Sequence, residues 1–267
     1  MDNKRLALIT GASAGIGAAF ARALAERGCD VALVARRSGR LKQLGAELEK
    51  HYGVRAYAIP ADLSDPTAVD DVLAALAAEG RAVDILINNA GYGLPETFAE
   101  TEWADQAAFI QVMATTCAHF AHRVLPGMAQ RGYGRIINVA SLAGLVPGGR
   151  GHTLYGAVKA FLITFSEALA AETWGTDVKI LALCPGFTLS EFHDANNTRN
   201  RFQKLPGLMV KSADFVAVKS LAAADAGRVV YVPSGFDKAM AWIARALPRA
   251  WAQALVRLQT GAHRKRR

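Results

Sequence analysis

Seven apolar runs of strand length recur along this chain, each separated from the next by a longer polar-patterned segment or turn. They are Leu6–Ile9, Val31–Ala35, Ala56–Pro60, Ile85–Asn88, Arg135–Ala140, Val178–Cys184 and Arg228–Val232. Most are nearly continuous in apolar residues. Strands buried on both faces of a parallel sheet read this way, whereas a sheet with one wet face alternates. Ala/Leu/Glu-rich stretches of helical length lie near 15–28, 39–50, 66–79, 102–130, 154–173 and 212–225. The alternation predicts an α/β fold, a doubly wound parallel sheet of about seven strands. No linker or internal repeat divides it, so residues 1–235 read as one domain and 236–267 as a C-terminal helical extension.

Composition removes other classes. With 52% hydrophobic and 20% charged residues among 267, the chain is too apolar for a disordered segment or a low-complexity fibre. It has no run of about 18 consecutive apolar residues, which argues against a spanning helix. Met1 to Arg5 leads straight into Leu6–Ile9, too short an apolar stretch for a signal peptide. Cys29, Cys117 and Cys184 lie far apart with no Cys-x-x-Cys, so neither a disulfide framework nor a thiolate metal site is indicated. A reduced, cytoplasmic setting is expected.

The formal charge of +8 is unevenly spread. Seven Lys/Arg and no acid fall between Arg245 and the end, which leaves +1 for the rest. The body has no basic patch interleaved with aromatics, so nucleic acid is not an expected partner. His263–Arg267 reads as a solvated end, with a weak membrane-surface anchor as the alternative. Just upstream, Trp242, Ile243, Ala246, Leu247, Trp251, Leu255 and Leu258 recur at helical spacing, interrupted by Pro248. That stripe is expected to cover the parent domain or a second subunit of a homo-oligomer, dimer or tetramer. A membrane-peripheral role is again the alternative.

The first strand runs into Thr10-Gly11-Ala12-Ser13-Ala14-Gly15-Ile16-Gly17 and then a helix. Glycines at 11, 15 and 17 permit a tight turn and close approach of the backbone to a pyrophosphate. The helix N-terminus behind them offers free N–H groups and a partial positive charge. Of six tyrosines only Tyr155 has a lysine four residues on, Lys159, a spacing that puts both on one helix face. A neighbouring ammonium is expected to lower the phenol pKa. At the end of the second strand, dinucleotide enzymes selective for NAD place an acid for the ribose 2′-OH. Here Val34-Ala35-Arg36-Arg37 stands instead, and the planar guanidinium of Arg36 suits the 2′-phosphate of NADP.

The Gly-x-x-x-Gly-x-Gly spacing, Asn88-Asn89-Ala90-Gly91, Ser141, Tyr155-x-x-x-Lys159 and Pro185-Gly186 with Thr188 follow in order. In these motifs the chain resembles the classical short-chain dehydrogenase/reductase family, over roughly residues 6 to 232. The resemblance implies a Rossmann-like fold and NADP(H)-dependent interconversion of a carbonyl and an alcohol, with pro-S hydride transfer. It implies Ser141, Tyr155 and Lys159 as catalytic residues, the serine donating to the substrate oxygen and the tyrosine handling the proton. Cofactor binding falls to Gly11, Ser13, Gly15, Ile16, Gly17, Arg36, Arg37, Asp62, Leu63, Asn89, Ala90, Gly91, Tyr155, Lys159, Pro185, Gly186 and Thr188. Lys159 would hold the nicotinamide ribose, and Asp62-Leu63 would contact adenine unless they form only a polar turn. Alternatives are a non-catalytic NADP-binding protein or an epimerase/dehydratase of the extended branch. Intact Ser141, Tyr155 and Lys159 argue against the first, and the glycine spacing against the second.

Substrate choice is expected to rest on a loop at 189–210, where Phe192, Phe202, Leu205, Leu208 and Met209 mix with charged residues and His193. A moderately apolar ketone or alcohol is expected: steroid-like, fatty-acyl or xenobiotic. His119 and His122 lie three apart without a carboxylate at suitable spacing, so a helix face is expected there and no metal. Against the family pattern, Met113 occupies the place of an Asn that opens a proton path beneath the lysine. A thioether cannot donate a hydrogen bond, so slower turnover is expected, with Gln111 or Thr116 as possible stand-ins.

Overall fold

The structure is a computed structural model that describes residues 4–94, 96–149, 153–189, 210–248, 250, 251, 253 and 254. The chain alternates strand and helix: β1 (Leu6–Thr10), α1 (Gly15–Glu26), β2 (Asp30–Ala35), α2 (Ser38–Tyr52), β3 (Ala56–Pro60), α3 (Ala68–Ala78) and β4 (Ile85–Asn88). It continues through α4 (Trp103–Ile110), a π turn (Gln111–Thr115), α5 (Thr116–Gln130), β5 (Gly134–Val139), a 3₁₀ turn (Leu142–Gly144), α6 (Thr153–Glu172) and β6 (Val178–Leu183). Then come β7 (Phe187–Leu189), β8 (Val210–Ser212), α7 (Ala213–Asp225), β9 (Val230–Tyr231) and α8 (Gly235–Ala246).

Seven strands form one parallel sheet in the order β3-β2-β1-β4-β5-β6-β9, while β7 and β8 pair separately. Alternate residues of each strand feed opposite cores, and both cores are built of apolar side chains. Ala7 and Ile9 of β1 pack with Phe20 and Leu24 of α1 and Val216 of α7. Leu6 and Leu8 pack on the other side with Phe120 of α5 and Leu76 of α3. This is why the runs are continuous in apolar residues. Each fully buried Phe or Leu side chain contributes about 1.5–3 kcal/mol relative to exposure. The strand order reverses between β1 and β4. In open α/β sheets such a reversal is where the loops leaving the C-terminal ends of the strands diverge and form a ligand-binding crevice.

The segment expected as one helix over 102–130 is interrupted. Between α4 and α5 the π turn widens the coil, the kind of local insertion that often marks a functional position. Asn88 Nδ2 donates to the Cys117 carbonyl at 3.0 Å just beyond it, and Thr116 Oγ1 donates to the Leu63 carbonyl at 3.1 Å. α6 is long and apolar enough to cross a membrane by length and composition. Here, however, Val158, Lys159, Leu162, Ile163 and Ser166 are buried. In the C-terminal stripe, expected to cover the parent domain or a second subunit, Trp242 and Trp251 are 71% and 68% exposed, and Leu255 and Leu258 lie outside the described residues. Most of the expected substrate loop, with His193, and the basic end lie outside the described residues.

One buried polar chain joins β4, β5 and α6. Asn88 Nδ2 donates to Asn138 Oδ1 (2.9 Å), Asn138 Nδ2 to Ser166 Oγ (2.9 Å), and Ser166 Oγ to the Leu162 carbonyl (2.6 Å). Asn138→Ala strands a buried N–H of Asn88 and leaves a void. Urea unfolding is expected to show a loss of about 1–3 kcal/mol, with the midpoint shifted and the slope unchanged.

Candidate active site

The glycine turn sits at the β1 side of the crevice and is held from the β4 side. Thr10 Oγ1 donates to the Ile87 carbonyl and accepts from the backbone N–H groups of Asn89 (2.9 Å) and Ala90 (3.0 Å). Asn89 Nδ2 donates to the carbonyls of Thr10 (2.9 Å) and Gly11 (3.3 Å). The backbone is so compressed that a Cβ on Gly17 would lie 2.3 Å from the Gly11 carbonyl oxygen. Gly11 and Gly15 adopt φ of 65° and 56°, open to glycine at little cost. Ile16 lies at the start of α1. The preceding Ala14 supplies no side-chain cap, so the first-turn N–H groups have no side-chain cap there. Such a turn fits a pyrophosphate.

Arg37, not Arg36, reaches the glycine turn. Its Nε and Nη2 donate to Ser13 Oγ at 3.2 and 2.9 Å. Arg36 is placed where its charge is felt by Asp62 and Tyr92. Asp62 accepts from the Ser64 N–H (3.0 Å) and hydroxyl (2.7 Å), which hold its carboxyl below the usual range. It is thus a turn-forming carboxylate beside the crevice, with Leu63 buried behind it.

Across the crevice, Ser141 lies two residues beyond β5 and caps the 3₁₀ turn, and Tyr155 is the third residue of α6; their side chains share a hydrogen bond. Gly144 makes this possible. A Cβ there would come within 2.6 Å of the Lys159 backbone, so the 3₁₀ turn and α6 touch main chain to main chain. Leu142 N–H donates to the Pro185 carbonyl at 2.9 Å and thereby ties the Ser141 loop to the loop after β6. The Ser141 N–H in turn donates to the Cys184 sulfur. Thr188 Oγ1 donates to the Gly186 carbonyl at 3.3 Å, and the Gly186 N–H donates to the carboxylate of Asp237 on α8. Burial raises the Asp237 pKa. Gly144, Cys184 and Asp237 are site-building residues that no motif spacing flags.

Lys159 is buried, with Nζ 2.7 Å from the Val139 carbonyl and 5.6 Å from the Tyr155 ring centroid. Burial pushes its pKa down to about 8. It does not depress the tyrosine as expected. Burial raises the Tyr155 pKa, offset only by the bond to Ser141, because the ammonium is turned to a backbone carbonyl. Burial also pushes the Cys117 and Cys184 thiols up, to about 11 and about 12, so both are protonated and unreactive. Met113 lies buried on the π turn; a Cβ on Gly91 would fall 3.1 Å from its Cε, so the thioether fills the floor beneath that loop. Thr116, considered as a stand-in for the missing amide, spends its proton on Leu63. His119 Nε2 lies 3.8 Å from Asp70 Oδ2 on α3.

A sequence model of the short chain dehydrogenase family matches residues 5–201. The NADP-dependent 3-hydroxy acid dehydrogenase YdfG of Escherichia coli (strain K12) is 37% identical over 184 residues, 68% of this chain and 71% of that protein. A solved short-chain dehydrogenase from Sphingobium yanoikuyae in complex with NADPH is 31% identical, with a TM-score of 0.79 over 92% of this chain and 97% of that one. A 7beta-hydroxysteroid dehydrogenase structure superposes with a TM-score of 0.83 at 25% identity, over 94% and 96% of the two chains.

The buried ammonium carries a stability consequence. Its folded pKa of about 8 lies below the ordinary 10.5. Between these values the unfolded chain binds the proton and the folded one has released it, so stability rises with pH across that window. Below it the folded protein bears the full cost of the buried charge. Lys159→Met is therefore expected to raise stability near neutral pH by up to about 3 kcal/mol and to abolish the alkaline rise. Urea unfolding at neutral pH and near pH 10 measures both; equal pH slopes in the two proteins would contradict a buried charge.

Proposed function

This chain belongs to the short-chain dehydrogenase family, and from that premise we propose that it is an NADP(H)-dependent reductase of a moderately apolar carbonyl compound. It is an oxidoreductase of that family. The observation that carries the finer reading is the Ser141–Tyr155 hydrogen bond, one helical turn from Lys159 and across the crevice from the glycine turn. Gly11, Gly15, Ile16 and Gly17 would hold the pyrophosphate, with Ser13, Arg36 and Arg37 at the 2′-phosphate. Asp62 and Leu63 would flank the adenine, Asn89 to Gly91 and Lys159 the ribose, and Pro185 to Thr188 the nicotinamide. When bound, the cofactor supplies a hydride to the carbonyl carbon.

The protein supplies the rest. Ser141 donates a hydrogen bond to the substrate oxygen, where negative charge develops. Tyr155 delivers its phenolic proton to the same oxygen, completing the alcohol. A raised phenol pKa suits this direction, because the proton to be given is present at neutral pH. The bond from Ser141 is what favours the phenolate left behind, while the Lys159 ammonium stays on the Val139 carbonyl. Steroid-like, fatty-acyl and xenobiotic ketones fit the expected loop over 189–210, and the likeness to a hydroxysteroid dehydrogenase supports that substrate size. Three free, buried cysteines support a reducing, cytoplasmic setting. Phe161, exposed on α6 and stacked on Phe165, supports a homo-oligomer.

Loss of nicotinamide absorbance, followed with ketones of graded size, tests the activity. Tyr155→Phe is expected to lower kcat ~10²–10⁴-fold while the Kd for NADPH hardly changes; substantial residual turnover would remove the tyrosine from its role. Arg36→Ala and Arg37→Ala are each expected to weaken NADPH binding roughly 10- to 100-fold, the loss of one charge-assisted contact. NADH binding should be little altered in both. Equal wild-type affinity for the two cofactors would contradict selection for the 2′-phosphate.

A further inference from the structure

The end of the described chain turns its apolar side outward. α8 starts at Ser234, whose hydroxyl accepts from the Asp237 N–H at 3.4 Å. Its inner side is held down by buried Asp237 and Ala241. Lys238, Ala239, Trp242, Ile243 and Ala246 are exposed and fall three or four residues apart, so they share one outer face. Trp242 is 71% and Ile243 43% exposed, and Trp251, past Pro248, is 68% exposed. An outward face with this much apolar surface is a docking face.

Charge selects what docks. From Lys238 to Arg267 the sequence holds eight Lys/Arg and no Asp or Glu, while everything before it is balanced, 23 of each sign. A second copy would set two such uncompensated segments side by side. An anionic bilayer instead supplies counter-charge to the arginines and an interfacial layer in which indole rings are at home. An amphipathic helix with cations about its apolar face binds in the plane of that layer.

We infer that α8 docks this protein on an anionic lipid surface, with Trp242, Ile243 and Trp251 entering the headgroup layer. Because Asp237 anchors α8 to Gly186, the docked face sits beside the loop after β6, at the end of the sheet where Tyr155 lies. The inference does not depend on the identity of the substrate.

The test is sedimentation of the full-length protein with vesicles of phosphatidylcholine, alone or with about 30% phosphatidylglycerol. The protein should pellet with the anionic vesicles, stay in solution with the neutral ones, and be released by salt, which shortens the screening length. Replacing both indoles, Trp242→Ser with Trp251→Ser, should lower partitioning about tenfold or more with no change in Tm. Protein left in the supernatant with both vesicle types overturns the inference, and so does equal pelleting with both. A wild-type dimer that the double variant converts to monomer, without vesicle binding, assigns the face to a second copy and also overturns it.

Discussion

The clasp between Thr10 and Asn89 is the contact on which the site depends. It joins the two loops that diverge where the strand order reverses, and it satisfies backbone groups that would otherwise compete for a ligand. With Asn89 drawing the Thr10 and Gly11 carbonyls inward, the glycine turn has no space for a side chain at Gly11 or Gly17. The N–H groups at the start of α1 have no side-chain cap from Ala14. A structural turn could tolerate looser packing. The compression here leaves bare backbone as the surface of the turn.

On the opposite wall the protein accepts an electrostatic cost. Lys159 is buried against a carbonyl and two protonated thiols, so its charge is poorly compensated. The Asn88–Asn138–Ser166 chain and the contact of Gly144 with α6 keep the helix from relieving that cost by shifting. The lysine is thus held near Tyr155 by backbone packing around it, in a place that stability alone would not favour.

The strand runs, their parallel character and the order of the motifs were legible in the amino acids because each rests on local pattern: continuous apolar runs, glycine spacing, an i,i+4 pair. The π turn was not. Residues 111–115 have ordinary helical composition, and the bonds that Asn88 and Leu63 make just beyond the widening come from other elements. The contact of Arg37 was not legible either. The sequence singled out Arg36, and only the path of the chain from β2 into α2 puts Arg37 on Ser13.

The sequence by itself determined the doubly wound sheet, the glycine turn and the Tyr155–Lys159 pair on one helix face, since helix and strand periodicity place those groups without reference to distant contacts. Ser141 was named by the family resemblance, and a tertiary contact at Gly144 brings it to Tyr155. Tertiary structure decided the charge states and the supports. Whether Lys159 lowers the phenol pKa depends on where the ammonium points, and it points to Val139. Gly144, Cys184 and Asp237 enter the site only because the ends of β5 and β6 and the start of α8 meet at the C-terminal end of the sheet. The outward aim of Trp242 was likewise settled in three dimensions: an apolar stripe in sequence says that a face is apolar, and only packing decides which way that face looks.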